Sequence, residues 1–190
     1  MDFVKLLGES FPTIETEQIT LRKLRISDAT ALFQYYSNVN VYRHLDWNGP
    51  ETVEKSYEVI DFWNKGYEKG WIIRFAIADK ITDEIIGTIF LSEFAGKRAE
   101  IGYELSDAYW QRGIMSEAVN EVLAIGFNQL GLVRIQAFVS TDNIASEKLL
   151  TKFNFKKEGY LRQFECHSVT GECKDMVIYS LLHTEFQQKI

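Results

Sequence analysis

Three strand-like runs follow one another along the chain, "WIIRFAIAD", "IIGTIFLSEF" and "RAEIGYEL", and a helix-period segment then leads into "LVRIQAFV". This order constrains the fold more than any other feature. The polar turn "KITDE" joins the first two runs, so the three read as an antiparallel meander. The third, residues 98–105, reaches the strand at 132–139 only through the helix predicted at about 114–130. A strand-helix-strand crossover makes its two strands parallel and its connection right-handed. One parallel pair is therefore expected inside an otherwise antiparallel sheet.

The remaining segments extend this plan. "EQITLRKLR" alternates as a first strand, and Ser27 and Asp28 are placed to cap a helix running to about Ser37. From Glu51 to Lys69, the residues Val53, Tyr57, Ile60, Trp63 and Tyr67 recur at threes and fours and predict a second helix with one apolar face. The crossover helix carries Met115, Ala118, Val119, Val122, Gly126 and Leu130 on its buried stripe. "NIASEKLLTKF", capped by Asp142 or Asn143, predicts a short helix, and "GYLRQFE" with "KDMVIYSLL" a closing hairpin. The fold class is α/β, a mixed sheet with helices on both faces. At 190 residues, with neither repeats nor a linker-like tract, residues 1–190 read as one domain.

Composition narrows the function. A net charge of −6 argues against a nucleic-acid partner, which selects for basic surface, and favours cationic ones. No apolar run approaches the roughly 20 residues that span a bilayer. "MDFVKLLGESFP" lacks the pattern of a secretory leader, so a soluble cytoplasmic protein without membrane association is expected. Cys166 and Cys173 flank a turn near Val169 and Thr170, and could face each other across a hairpin; a reducing cytosol would keep them as thiols. With His44, His167 and His183 they do not make a four-ligand set at metal-binding spacing, so no metal is expected.

The chemistry concentrates at "AYWQRGIMSEAV", between the parallel strand and its helix. Glycine lacks a Cβ and lets another group approach the backbone, and the helix start behind Gly113 offers free N–H groups and partial positive charge. Both suit a phosphate. Ligands on such sheets collect at the carboxyl ends of the strands, where this loop lies.

The runs "AEIGYELSDAYWQRGIMSEAV", "STDNIASEKLLTKFNFKKEG" and "KDMVIYSLL", in this order and spacing, resemble the GNAT acetyltransferases. With "ITLRKLRISDATALFQYYSN" at the front, they resemble more narrowly the RimJ/RimL-like branch of ribosomal-protein N-terminal acetyltransferases. The resemblance spans about residues 14–184. It implies the GNAT fold, whose parallel strands splay apart around the crossover, and acetyl-coenzyme A as cosubstrate. The family's Q/R-x-x-G-x-G/A positions fall on Trp110, Gly113 and Met115, of which only Gly113 fits. Backbone N–H groups do most of the holding, and every non-proline residue supplies one.

The implied pyrophosphate cradle is Arg112, Gly113, Ile114, Met115 and Ser116. Amides around Tyr103 to Leu105 would meet the pantetheine arm and polarise the thioester carbonyl, and Gly102 would mark a bulge there. Asn143 would bond the pantetheine, and Ser146 would protonate the departing thiolate; helix capping is the plainer reading of both. Glu100 and Glu104 share a strand face and are candidate general bases, or simply a solvated face. Lys148 and Lys152 could reach the nucleotide phosphate or stand in solvent. His44 and Trp47 could line the acceptor pocket or pack, whereas Trp63 and Trp71 read as core.

The expected activity is acetyl transfer to a primary amine, an N-terminal α-amine of a protein, by direct attack in a ternary complex. A small amine such as a polyamine or aminoglycoside, and a sensor that binds acetyl-coenzyme A without transfer, remain alternatives. The chain would act as a monomer or homodimer.

Overall fold

The computed structural model describes residues 1–8 and 10–187. A single eight-stranded sheet has the order β1-β2-β3-β4-β5-β6-β8-β7. Its strands are β1 (Ile14–Glu15), β2 (Ile19–Arg22), β3 (Ile72–Asp79), β4 (Ile85–Ala95), β5 (Arg98–Leu105), β6 (Arg134–Ser140), β7 (Lys156–Cys166) and β8 (Cys173–Leu182). The helices are α1 (Phe3–Leu7), α2 (Ala29–Tyr36), α3 (Val39–Tyr42), α4 (Val53–Glu68), α5 (Ile114–Ala124) and α6 (Ile144–Lys152). Within the described residues, no helix is long and apolar enough to cross a membrane.

Alternation along the strands builds two apolar cores. Ile73, Phe75 and Ile77 of β3 face one way, with Ile89 and Leu91 of β4, and are covered by α5 through Ala118, Val119 and Val122. Ile72 and Ala76 face the other way, against Leu32 of α2 and Ile60 and Trp63 of α4. Helices thus cover both faces, as the strand order requires.

The meander β3-β4-β5 is antiparallel and β5 pairs with β6 in parallel, both as expected. The parallel pairing is short: Arg98↔Arg134, Ala99↔Ile135 and Glu100↔Gln136. Beyond Glu100 the strands separate, because β6 is drawn to β8 along its whole length, from Arg134↔Leu182 to Ser140↔Met176. That separation opens the site.

Several local expectations are corrected. Asp28 does not cap α2 with its side chain. Its carboxylate instead takes the Arg22 guanidinium fork at 2.8 and 2.9 Å, a buried bidentate pair whose full hydrogen bonding offsets the loss of hydration. On α4 the buried stripe runs through Ser56, Ile60, Trp63 and Tyr67, and Tyr57 is exposed, one position out of phase. Trp71 is partly exposed and rests on Phe62 with ring centroids 5.0 Å apart. The crossover helix is α-helical only to Ala124, then loosens into a π-turn over Ile125–Gln129. Gly102 marks no bulge, since β4 and β5 stay in register from Gly87↔Leu105 to Ser92↔Glu100 and slip only beyond Ser92. It is glycine for space: a Cβ there would lie 2.2 Å from Cζ of Phe90.

Cys166 and Cys173 are register partners across the β7-β8 hairpin and are joined in a disulfide. The hairpin tip packs on the loop after α3, where the Ser168 N–H donates to the Asp46 carbonyl at 2.7 Å.

Candidate active site

The gap between β5 and β6 opens into a cavity of about 530 Å³. Which strand groups face it follows from one hydrogen bond. The Ser106 N–H donates to the Ile86 carbonyl of β4 at 2.8 Å. Residues at alternate positions point the same way, so the amides of Glu104 and Gly102 also face β4. Those of Tyr103 and Leu105 face the gap, beyond the last β5-β6 pairing at Glu100↔Gln136. The Leu105 carbonyl is taken by the Trp110 indole N–H at 2.9 Å. Trp110 thereby pins the loop before α5 to the end of β5.

Gly113 is the N-cap of α5 with φ of +82°, a left-handed conformation that costs glycine nothing. Gln111, two residues earlier, has φ of +60°. These two residues turn the chain so that the first N–H groups of α5 point out of the helix toward the cavity mouth. The N–H groups of Gly113, Ile114 and Met115 are orphan donors at the positive end of the helix. A Cβ on Gly113 would meet nothing nearer than the Gln18 amide nitrogen at 3.9 Å, so the space above it is open. Such a cradle fits an anion of phosphate size. The Lys152 Nζ donates to Ser116 Oγ at 2.9 Å, bringing a cation to its edge, whereas Lys148 does not line the cavity.

Of the residues expected to bind or react, Glu100, Tyr103, Glu104, Leu105, Gly113, Ile114, Met115, Ser116, Asn143 and Ser146 all line this cavity. Arg112 does not, and its guanidinium lies over the Tyr109 ring at 5.1 Å. Met115, expected on the buried stripe, is half-buried and turned to the cavity. Asn143 caps α6, its Oδ1 accepting the Ser146 N–H at 3.1 Å. His44 lines the cavity with Nδ1 3.4 Å from the Asp142 carboxylate, and burial lowers its pKa. Trp47 packs against Tyr36 and Trp63 instead.

One contact joins residues that local sequence keeps apart. The Tyr103 hydroxyl and Ser146 Oγ lie 2.7 Å apart, on β5 and α6. Burial pushes the Tyr103 hydroxyl up to about 12, partly opposed by this bond to Ser146. The two hydroxyls are thus linked at the cavity wall, and the Tyr103 hydroxyl stays protonated at neutral pH.

The two carboxylates share a strand face but not an environment. Glu104 is buried and held at Oε1 by the hydroxyls of Thr88 and Tyr35, with Arg74 Nη1 at 3.6 Å. Arg74 is itself clasped between the Trp63 and Phe90 rings, 3.9 Å from each centroid. The solvated-face reading of Glu104 is therefore overturned: α2 and α4 cover that face. Among the described residues, Glu100 has no such partners. Burial, then the nearby carboxylates of Glu165 and Glu93, push it up to about 7. Glu165, also at the cavity, is raised by burial and by Asp46. This places a carboxyl group able to exchange a proton near neutrality on the same strand, and in the same cavity, as amide donors suited to a developing oxyanion. Within the described residues, no group of three or more His, Cys, Asp or Glu side chains is arranged to hold a metal.

Comparison with known proteins agrees with this geometry. The acetyltransferase (GNAT) domain family matches residues 18–156. An uncharacterized N-acetyltransferase of Bacillus subtilis, YoaA, is 40% identical over 174 residues, 90% of this chain and 97% of the relative. The [ribosomal protein uS5]-alanine N-acetyltransferase of Escherichia coli is 24% identical over 178 residues, 88% of this chain and 89% of the relative. Among solved structures, the ribosomal L7/L12 α-N-protein acetyltransferase RimL in complex with coenzyme A superposes with a TM-score of 0.80. It is 21% identical, covering 90% of this chain and 98% of that one.

Proposed function

The chain belongs to the GNAT acetyltransferase family and is an acetyltransferase; from that premise we propose that it transfers the acetyl group of acetyl-coenzyme A to an N-terminal α-amine of a protein, in a ternary complex. The observation that carries this reading is the cavity at the β5-β6 gap. It joins free strand amides, a helix start open to phosphate and a carboxyl group raised to about 7.

In this reading the pyrophosphate rests on the N–H groups of Gly113, Ile114 and Met115, with Arg112, Ser116 and Lys152 at its margin. The pantetheine arm runs along β5, bonded by the Tyr103 and Leu105 amides and by Asn143. The amine nitrogen attacks the thioester carbon, and the carbonyl oxygen becomes an oxyanion facing the β5 amides. Glu100, directly or through a water, takes the proton the amine must lose; an α-amine near pKa 8 gives it up more readily than lysine near 10.4. As the C–N bond forms and the C–S bond breaks, Ser146 hydrogen-bonds the leaving sulfur and supplies its proton, which Tyr103 restores and solvent in the cavity in turn returns to Tyr103. Glu104, held by Thr88, Tyr35 and Arg74, supports the strand behind the site. No covalent enzyme intermediate is required. The same reading places the enzyme in the cytoplasm with its cosubstrate.

The similarity to the two ribosomal-protein acetyltransferases supports a protein N-terminus as acceptor, as does a cavity rim that reaches solvent at Arg43 and Asp46. A second reading, a polyamine or other small polycation, is favoured by Asp46, Glu100 and Glu165 together on the acceptor side. The test is release of free coenzyme A with N-terminal Ala, Ser and Met peptides beside spermidine and an aminoglycoside. Saturable turnover on one peptide class supports the first reading. Turnover only on a small amine selects the second.

A further inference from the structure

The motif position at which the family places Gln or Arg is Trp110 here, and its indole is spent on the Leu105 carbonyl. Something else must fix the far end of the same loop. Gln18, immediately before β2, reaches it from another part of the chain. Its Nε2 donates to the Arg112 carbonyl at 3.2 Å and to Oε1 of Glu117 in the first turn of α5. The Gln18 backbone N–H donates to Oε2 of Glu117 at 3.2 Å, and the Thr16 hydroxyl donates to the same oxygen at 2.6 Å.

The placement matters for two reasons. Gln111 and Gly113 both hold positive φ, so the loop needs contacts that keep it from relaxing to an ordinary turn. The bond to the Arg112 carbonyl lies between them. Glu117 also puts a carboxylate one turn from the cradle, where an unpaired negative charge would repel phosphate. Donors on both its oxygens hold that charge on the β2 side.

We propose that Gln18 is a positioning residue for acetyl-coenzyme A: by bridging the Arg112 carbonyl to Glu117 it holds the 110–113 loop and the first α5 amides in their phosphate-receiving arrangement. It touches neither the acceptor cavity nor the reacting atoms, so its effect belongs in cosubstrate affinity and not in the chemical step. The inference rests on the cradle assigned above.

The experiment measures coenzyme A affinity by calorimetry and steady-state constants for the wild type, Gln18→Ala and Thr16→Ala. Gln18→Met, of similar length and uncharged but without the amide donor, serves where Gln18→Ala fails to fold. The Gln18 variants are expected to raise Kd and the KM for acetyl-coenzyme A about 5–30-fold, the loss of the two hydrogen bonds its amide makes to the Arg112 carbonyl and to Glu117, with kcat within about twofold. Thr16→Ala removes a Glu117 partner without touching Arg112, and should change affinity by less than about twofold. Unchanged affinity in the Gln18 variants, or equal losses in Thr16→Ala, would overturn the proposal. Failure of the wild type to bind coenzyme A would instead overturn the cradle itself.

Discussion

The Tyr103 hydroxyl stands 2.7 Å from Ser146 Oγ, and the two residues are separated by 43 positions in the chain. If they act as one relay to the leaving sulfur, removing either should do nearly all the damage. Ser146→Ala and Tyr103→Phe are each expected to lower kcat by about 10²-fold with small changes in KM. The double variant should be little worse than the poorer single one. Additive losses would mean that they act separately.

Glu100 supplies a pH signature. With its carboxyl raised to about 7, kcat/KM should climb through neutrality as it ionises, and Glu100→Gln should flatten that limb while costing about 10²-fold in rate. Stability moves the opposite way. The folded state holds this proton more tightly than the unfolded chain, so stability relative to the neutral analogue is intact below the ordinary glutamate range. It is lost as pH rises through about 7. Glu100→Gln should therefore stabilise the fold by about 1–3 kcal/mol at pH 8 and leave it nearly unchanged at pH 4. Denaturant titrations at the two pH values check this.

Gly113 separates binding from folding. Its φ of +82° strains any L side chain, but an added Cβ meets no protein atom closer than 3.9 Å. Gly113→Val should cost about 1–2 kcal/mol of stability through the backbone and weaken coenzyme A binding by more than about tenfold by occupying the open space above the cradle. Full affinity in a folded Gly113→Val variant would contradict phosphate binding there.

The contrast between these residues explains what the sequence could reveal. The strand-helix-strand order, the antiparallel meander and the glycine at the helix start are local patterns, and all were readable. The hydroxyl contact between Tyr103 and Ser146 was not, because it depends on where β5 splays from β6. Alternation puts Glu100 and Glu104 on one face correctly but says nothing of what covers it. Arg74, clasped by Trp63 and Phe90, reaches that face from β3, and no spacing near Glu104 announces it. Tyr57 reads as part of the buried face because apolar residues at threes and fours fit two adjacent helix phases, whereas Trp71, beyond α4, reads as core from its size and apolarity alone. Small Ser56, buried beneath α4, gave no hydrophobic signal to choose between the two phases. Gln18 lies far from the loop it supports, and a lone polar residue before a strand carries no motif.

Gly102 tests the layer behind Glu104. A methyl group there would fall 2.2 Å from Cζ of Phe90, and the ring would have to leave its place over Arg74. Gly102→Ala is expected to destabilise by about 1–3 kcal/mol, the usual range for overpacking. Because the Arg74 and Glu104 pair would loosen with it, activity should fall more than in a core variant of equal stability. Gly102→Ala combined with Phe90→Leu, which makes room, should recover part of the stability.

The disulfide between Cys166 and Cys173 closes a short hairpin outside the reacting groups. Constraint of so short a loop contributes about 2 kcal/mol under oxidising conditions and nothing in a reducing cytosol. Cys166→Ser and Cys173→Ser should therefore lower the melting temperature only of the oxidised protein. The hairpin tip still bonds the loop after α3 through Ser168 and Asp46, and those groups are main-chain. Turnover at saturating substrates should then be the same in wild type, either variant and the dithiothreitol-treated enzyme. A folded serine variant without activity would mean that a thiol takes part in the reaction, and direct attack by the amine would have to be abandoned.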